Sequence, residues 1–431
     1  MIDMRSLKSL QGIRVLGFNE NLLKEIRARF ACVDACPFQG ERIFFENAGG
    51  ALTLKSVVSR TAEYAAIPDN QGRDNPASHK LVRIIEQARK DMHLFLNASS
   101  GQVFFGESGT EILFRMISAA CLGTATGGNV VSSTVEHPAS RSAATRWADI
   151  SKKELISVVH NDDTGDVTAE NYAKAVNKNT RVATILHTSP VTGIGNDVGE
   201  ISKTIRAVSP DCIIIVDGIQ HAAHGLLDID SYDIDGYAIS PYKMFSRHGY
   251  GVAWISGRLA DLSHNALLNG PAKQWELGTR DTGAYATLSE VIRYFEWLGS
   301  EVSEKTDPRA KIVAAGQAIL AHEETLTNAV LHGTGNQKGL AEMPGVKMIA
   351  GIENPHREGL VSFTIDDRNA ADIVAYLNDQ GIRTHVRKAD HYSANILTPL
   401  KQDSCVRVSF CHYNTEQEVS RFLNAMTSLL A

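Results

Sequence analysis

The chain has 431 residues, 43% of them hydrophobic and 21% charged, with a formal net charge of −6. That length supports one large core with a second, smaller one. The acidic balance gives no basic surface for nucleic acid or an anionic membrane, and no run reaches the ~18–20 apolar residues of a membrane span. Six cysteines are too few to staple a chain this long, and the Cys32/Cys36 pair has no second Cys or His pair nearby to complete a zinc site. No metal site is expected. The first residues lack a continuous apolar core and a cleavage site, so the expected location is cytoplasmic.

In chain order, residues 1–42 suggest a helical leader that packs with the smaller domain, its apolar residues at helical spacing over 21–30. A short strand at 43–45 enters the turn Asn47-Ala48-Gly49-Gly50. Amphipathic helices follow at 54–66 and 79–97 around a polar loop. From 100 to 260 short apolar runs (102–105, 129–132, 155–159, 182–187, 212–216, 236–239, 251–255) alternate with helical or loop stretches. Such alternation predicts an α/β domain with a mostly parallel sheet, whose ligands bind beyond the C-terminal strand ends. The large domain is placed at 43–299. Beyond it, a long helix at 308–334, two βαβ-like units and a terminal helix at 415–430 predict a smaller α+β domain over 300–431.

The polar clusters fall at those strand ends. Asp217 ends one apolar run and is followed by Gln220; Lys243 follows another, with Ser240 and Tyr242 beside it. A buried carboxylate and a lysine brought together there suit pyridoxal 5′-phosphate (PLP): the lysine holds the aldehyde as a Schiff base and the carboxylate keeps the pyridine nitrogen protonated. A capping Asp and a surface Lys would leave the same spacing. Gly109 and Thr110 open a helix whose N-terminus suits a phosphate, or simply carries a Ser/Thr cap. His137 can lie on an aromatic cofactor, act as acid or base, or sit buried against backbone. Arg407, flanked by valines, is a fork for a substrate carboxylate or an edge-strand side chain facing solvent.

Taken together, Phe45-Glu46-Asn47-Ala48-Gly49, Ser108-Gly109-Thr110-Glu111, Glu136-His137-Pro138, Val216-Asp217-Gly218-Ile219-Gln220, Ser240-Pro241-Tyr242-Lys243, Gly278-Thr279 and Val406-Arg407-Val408-Ser409 resemble the class V aminotransferase family of fold-type I PLP enzymes, which includes cysteine desulfurases and selenocysteine lyases. The resemblance implies that Lys243 forms the Schiff base and shuttles the Cα proton, that Asp217 pairs with the pyridine nitrogen, that Gln220 bonds the ring hydroxyl and that His137 stacks on the ring. It implies phosphate contacts from Gly109, Thr110, Ser240 and Tyr242, with Thr279 supplied by the second subunit of a homodimer. Arg407 would take the α-carboxylate, helped by backbone near Asn47 and Ala48.

Three positions depart from the family pattern. Residues 383–394 carry no nucleophilic cysteine, Pro190 stands where Asn is frequent, and Tyr242 stands where desulfurases often have His. The expected activity is therefore a β-eliminating carbon–sulfur lyase acting on an amino acid without a persulfide-forming loop; an aminotransferase is the alternative and an epimerase the third. The 383–391 segment, with Arg387 near its centre, suits an anionic side chain on the substrate, or is an ordinary solvated loop.

Overall fold

The computed structural model describes residues 17–431 apart from 225 and 272. Its main sheet has seven strands: β1 (Gln102–Gly106), β2 (Asn129–Ser133), β3 (Glu154–Val158), β4 (Thr180–Leu186), β5 (Ile213–Asp217), β6 (Gly236–Ile239) and β7 (Gly251–Ile255). They lie in the order β1-β7-β6-β5-β4-β2-β3. β7 is antiparallel to both its neighbours, and the remaining pairs are parallel. Central strands such as β5 are buried along their whole length, as expected of a sheet covered on both faces by helices. Apolar side chains from the two faces of this sheet fall into separate packed clusters, with Ile214 and Val216 in one and Ile213 and Ile215 in the other.

The helices start where the chemistry allows. Ser108 caps the helix Gly109–Gly123 by accepting from the Glu111 N–H. Asn75 and Asp307 each cap a helix whose first residue is proline, Pro76–Leu96 and Pro308–His332. Thr415 and Glu418 form a reciprocal capping box on the terminal helix Glu416–Leu430.

A second sheet contains β8 (Val346–Met348), β9 (Leu360–Ile365), β10 (His385–Lys388) and β11 (Ser404–Ser409), ordered β8-β9-β11-β10. Every pairing in it is antiparallel, so the expected βαβ-like units do not form. The helix Ala370–Asp379 instead leads to Ile382–Arg383, which pairs in parallel with Ile43–Phe44 outside this sheet. Strand alternation sorts the faces. Val361, Phe363, Val406 and Val408 enter the core beneath the sheet, whereas Ser362 and Arg407 reach the carbonyls of Val191 and Pro190 beside the main sheet.

The leader differs from its expected form. Only Glu20–Arg29 is helical in the described part; residues 35–41 hold a two-stranded hairpin. Leu22, Ile26 and Phe30 pack into the main-sheet core, while Arg27 reaches Tyr413 and Glu418 at the start of the terminal helix. The segment thus bridges both cores rather than packing with the smaller one alone. The helix Thr282–Val302 likewise runs through the boundary expected at 299.

Candidate active site

Asp217 is the last residue of β5 and is 2% exposed. The Ile219 N–H donates to its Oδ1 at 3.1 Å, and Ser140 Oγ donates to its Oδ2 at 3.5 Å. Burial pushes its carboxyl up to about 6, opposed by the Ile219 hydrogen bond and the charge of Lys243. Glu136, just past β2, is wholly buried; burial and the neighbouring Asp217 charge push it up to about 8. Lys243 ends the tight turn Pro241–Lys243 after β6, and its Nζ donates to Gln220 Oε1 at 3.0 Å. Although the side chain keeps some accessible surface, protein surrounds its amine. Desolvation and then the Arg407 charge bring it down to about 7, with Asp217 pulling the other way. An amine at that value is partly unprotonated at neutral pH and can accept a proton.

Beside this pair, the helix opening at Gly109 closes onto Ser240. A Cβ on Gly109 would lie 2.3 Å from Ser240 Oγ and 2.5 Å from Ile219 Cδ1, so any other residue would push both side-chain tips aside. Ser108 is committed to its cap, and Thr110 is exposed on the first turn. Tyr242 stacks on His248 with ring centroids 4.3 Å apart and lies against Gly50, committing its ring to the 47–50 turn. His137 caps the helix Pro138–Ile150, its Nδ1 accepting from the Ala139 N–H at 3.2 Å. Burial and the charges of Lys243, Arg387 and Arg141 push its imidazole down to about 3, so the ring is neutral at physiological pH. That state suits a stacking face and does not suit an imidazolium acid.

Above the floor, Arg407 is 2% exposed on β11, and its Nη1 donates to the Pro190 carbonyl at 2.8 Å. The proline that departs from the family pattern thus offers a backbone acceptor. Asn47 lies close by, but its amide is consumed: Nδ2 donates to the Phe44 and Ser409 carbonyls and to Asn414, and Oδ1 accepts from Tyr413. The Ala48 N–H donates to Ser409 Oγ at 2.9 Å. Both residues therefore hold the turn, and neither of these groups is a spare donor for a carboxylate. Thr279 is exposed, with no side-chain hydrogen-bond partner among the described residues.

The sequence model described as Aminotransferase class-V matches residues 43–422. The chain belongs to the class-V aminotransferase family. Among its relatives is a cysteine desulfurase-like protein, ustD, of Aspergillus flavus, 24% identical over 91% of this chain and 88% of that one. The aminotransferase-like protein FGM3 of Gibberella zeae is 23% identical over 95% of this chain and 98% of its own length. Of solved structures, the apo cysteine desulfurase of Thermococcus onnurineus superposes with a TM-score of 0.79 at 24% identity, over 94% of this chain and 98% of that one.

Members of the class-V family are PLP-dependent enzymes acting on amino acids, and this chain is one of them. Its residues fit that cofactor. A half-shed lysine, a buried carboxyl at a strand end and a helix start that a Cβ would block together form a cradle with the right chemistry.

Several contacts around the site, and the residues His224, Glu323 and Glu358, had no part in the sequence analysis. Gln220 Nε2 meets His224 Nε2 at 3.3 Å, and His224 Nδ1 meets Glu323 Oε2 at 2.7 Å, so a hydrogen-bonded chain runs from Lys243 to a buried carboxylate. His187 stacks on His221 at 3.5 Å, and His221 pairs with Glu358 at 2.9 Å. Glu46 takes Arg383 at 2.7 Å and His385 at 3.0 Å. A glutamate on the buried stripe of the helix Pro308–His332 was a signal for Glu323; Glu46 stood in the Phe45–Gly49 motif without an assigned role, and nothing local marked Glu358. His224, Glu323 and Cys411 lie within 4.8 Å of one another, as metal ligands could. The 2.7 Å contact is a hydrogen bond, however, and burial drives the Glu323 carboxyl and the Cys411 thiol toward their neutral forms.

Proposed function

We propose that this class-V enzyme cleaves a carbon–sulfur bond of a cysteine-type amino acid by β-elimination. The observation that carries the proposal is the Lys243 amine, lowered to about 7 and held by Gln220. PLP, when bound, supplies a protonated pyridine that draws electrons from Cα. Asp217 would keep that nitrogen protonated, Gln220 would bond the ring oxygen, and the neutral His137 ring would lie against the cofactor. Gly109, Thr110 and Ser240 would hold the phosphate, assisted by Tyr242 and, in a homodimer, by Thr279 of the partner subunit. Arg407 would bind the α-carboxylate within the turn shaped by Asn47 and Ala48.

Lys243 Nζ accepts the Cα proton. The Cβ–S bond then breaks with its electron pair leaving on sulfur, and hydrolysis of the remaining fragment gives pyruvate and ammonia. The turn before Ala394 presents His391 and Tyr392, and it is braced by the Asp390 carboxylate and carbonyl. Cys405 and Cys411 are buried, and burial raises their thiols. Direct elimination therefore fits better than persulfide transfer.

A transaminase reading is supported by the family and by Lys243 itself, since the same lysine can return the proton to the cofactor carbon. Incubating the pure holoprotein with cysteine derivatives separates the two. Catalytic pyruvate with released sulfur supports elimination. One equivalent of keto acid with accumulation of the pyridoxamine form would refute it.

A further inference from the structure

The face of the second sheet that looks toward Lys243 carries more positive charge than one carboxylate can answer. β10 and β11 pair antiparallel with Arg387 opposite Cys405 and His385 opposite Arg407. His385, Arg387, Cys405 and Arg407 therefore share one face, with the two arginines diagonal neighbours, about 7 Å apart at Cβ. Both guanidiniums depress the Lys243 amine, and Arg387 also depresses His137, so both reach the site.

Neither arginine forms a salt bridge among the described residues. Arg407 is 2% exposed; its one hydrogen bond goes to the Pro190 carbonyl, and its Nε is buried without a partner. Arg387 makes no salt bridge or hydrogen bond among the described residues; its guanidinium lies 5.9 Å from the Tyr392 ring centroid, and its Nε is buried and unpartnered too. Asp390 is the carboxylate whose charge acts on Arg387, but it is exposed, accepts from the Tyr392 N–H and forms no salt bridge with Arg387; the other nearby carboxyls are spent. Glu46 holds Arg383 and His385, while Asp217 and Glu136 belong to the floor, where burial favours their protonated forms. Arg141 adds a further cation, whose guanidinium donates to the His391 carbonyl and forms no salt bridge among the described residues. The buried Arg407 guanidinium is costly to leave without an anion, and the half-buried Arg387 beside it adds to that cost.

We propose that the substrate is a dianionic α-amino acid: Arg407 takes its α-carboxylate, and Arg387 takes a second anionic group, a carboxylate or a sulfur oxyanion, on a short side chain. The proposal rests on the reading of Lys243 and PLP as the amino-acid site and adds to it what the side chain must be. A diagonal pair on adjacent strands suits two anionic groups separated by only a few bonds, and the forked guanidinium suits planar oxyanions.

The test uses the PLP-loaded protein and two pairs of probes. Binding of L-aspartate and L-asparagine is followed through the visible band of the cofactor. Succinate and propionate, which carry no amine, are compared by calorimetry. The dianion of each pair should bind about tenfold or more tightly than its partner. Arg387→Gln should collapse both ratios toward one, and Arg387→Lys should restore part of them. Equal binding within each pair, or ratios unchanged in Arg387→Gln, would overturn the proposal. The wild-type ratios decide the matter even if a variant fails to fold. Failure of the PLP reading shows separately, as a cofactor band that survives Lys243→Ala, and the calorimetric pair still judges the arginines.

Discussion

The floor and the roof of this site respond to burial in opposite ways. On the floor, Asp217, Glu136 and Lys243 are titratable near neutrality, and each moves toward its uncharged form. On the roof, burial also brings Arg407 down, to about 9, yet it stays charged at neutral pH. Desolvation on the floor is thus met by moving protons, which is the property an acid–base centre needs. Desolvation on the roof has no such outlet, so its charges wait for a ligand. The contrast teaches that one low-dielectric cleft can hold a proton-handling half and an anion-binding half, according to residue type alone.

The largest effect should come from removing the floor's base. Lys243→Ala should abolish the cofactor's visible band and slow turnover by about 10⁴-fold or more, measured by steady-state kinetics at saturating PLP. Retained turnover would break the comparison at its centre.

Next, Arg407→Gln should raise KM for the amino acid by about 100-fold, with a smaller change in kcat. The same variant links the two halves. Arg407 disfavours the Lys243 ammonium, so removing it should raise the lysine's pKa. In the cofactor-free protein, the pH dependence of Lys243 acylation, read by mass spectrometry, should inflect near 7 in the wild type and higher in the variant. An unmoved inflection would mean that roof and floor are electrostatically separate.

Glu136→Gln sharpens the floor. A carboxyl raised from 4.5 to about 8 by folding binds more protons in the native state between those values. Wild-type stability from this group is complete below its unfolded pKa and is lost as pH rises through the folded one. The neutral variant escapes that loss. In the cofactor-free protein it should match the wild type near pH 4.5 and exceed it by roughly 4 kcal/mol near pH 8, by denaturant titration. A constant difference across that range would show that Glu136 does not titrate there.

The smallest effect is steric. Gly109→Ala places a Cβ against Ser240 Oγ and Ile219, and should weaken PLP affinity about tenfold through forced repacking. Fluorescence titration of the cofactor-free protein with PLP measures it.

Much of this site was legible because its residues sit at the ends of apolar runs. Asp217 closes a fully buried strand, Lys243 follows β6, and Gly109 opens a helix just past β1, so periodicity and turn chemistry pointed to each one. Arg407 was visible as a charge between valines, and the observed alternation sends the valines into the core and the arginine toward Pro190. The βαβ-like expectation for the second sheet failed because short strands flanking a helix do not reveal their partners. Here Ile382–Arg383 left that sheet to pair with Ile43–Phe44. Backbone near Asn47 and Ala48 was expected to help with the α-carboxylate; what only the fold reveals is that the Asn47 side chain is used up by groups far along the chain, Ser409, Tyr413 and Asn414.

Local order in the chain was enough to set the α/β alternation, the strand-end placement of Asp217 and Lys243, and the glycine at the helix start. Each depends on a few neighbouring residues and on backbone geometry. Which arginines stay unpaired was settled only in three dimensions. Arg383 and Arg387 lie in the same short segment, yet Glu46 meets the first and leaves the second open. That choice rests on the pairing of Ile43–Phe44 beside Ile382–Arg383 and on the register of β10 against β11. Charge pairing depends on distance in space, and distance between remote segments is decided by which strands find each other.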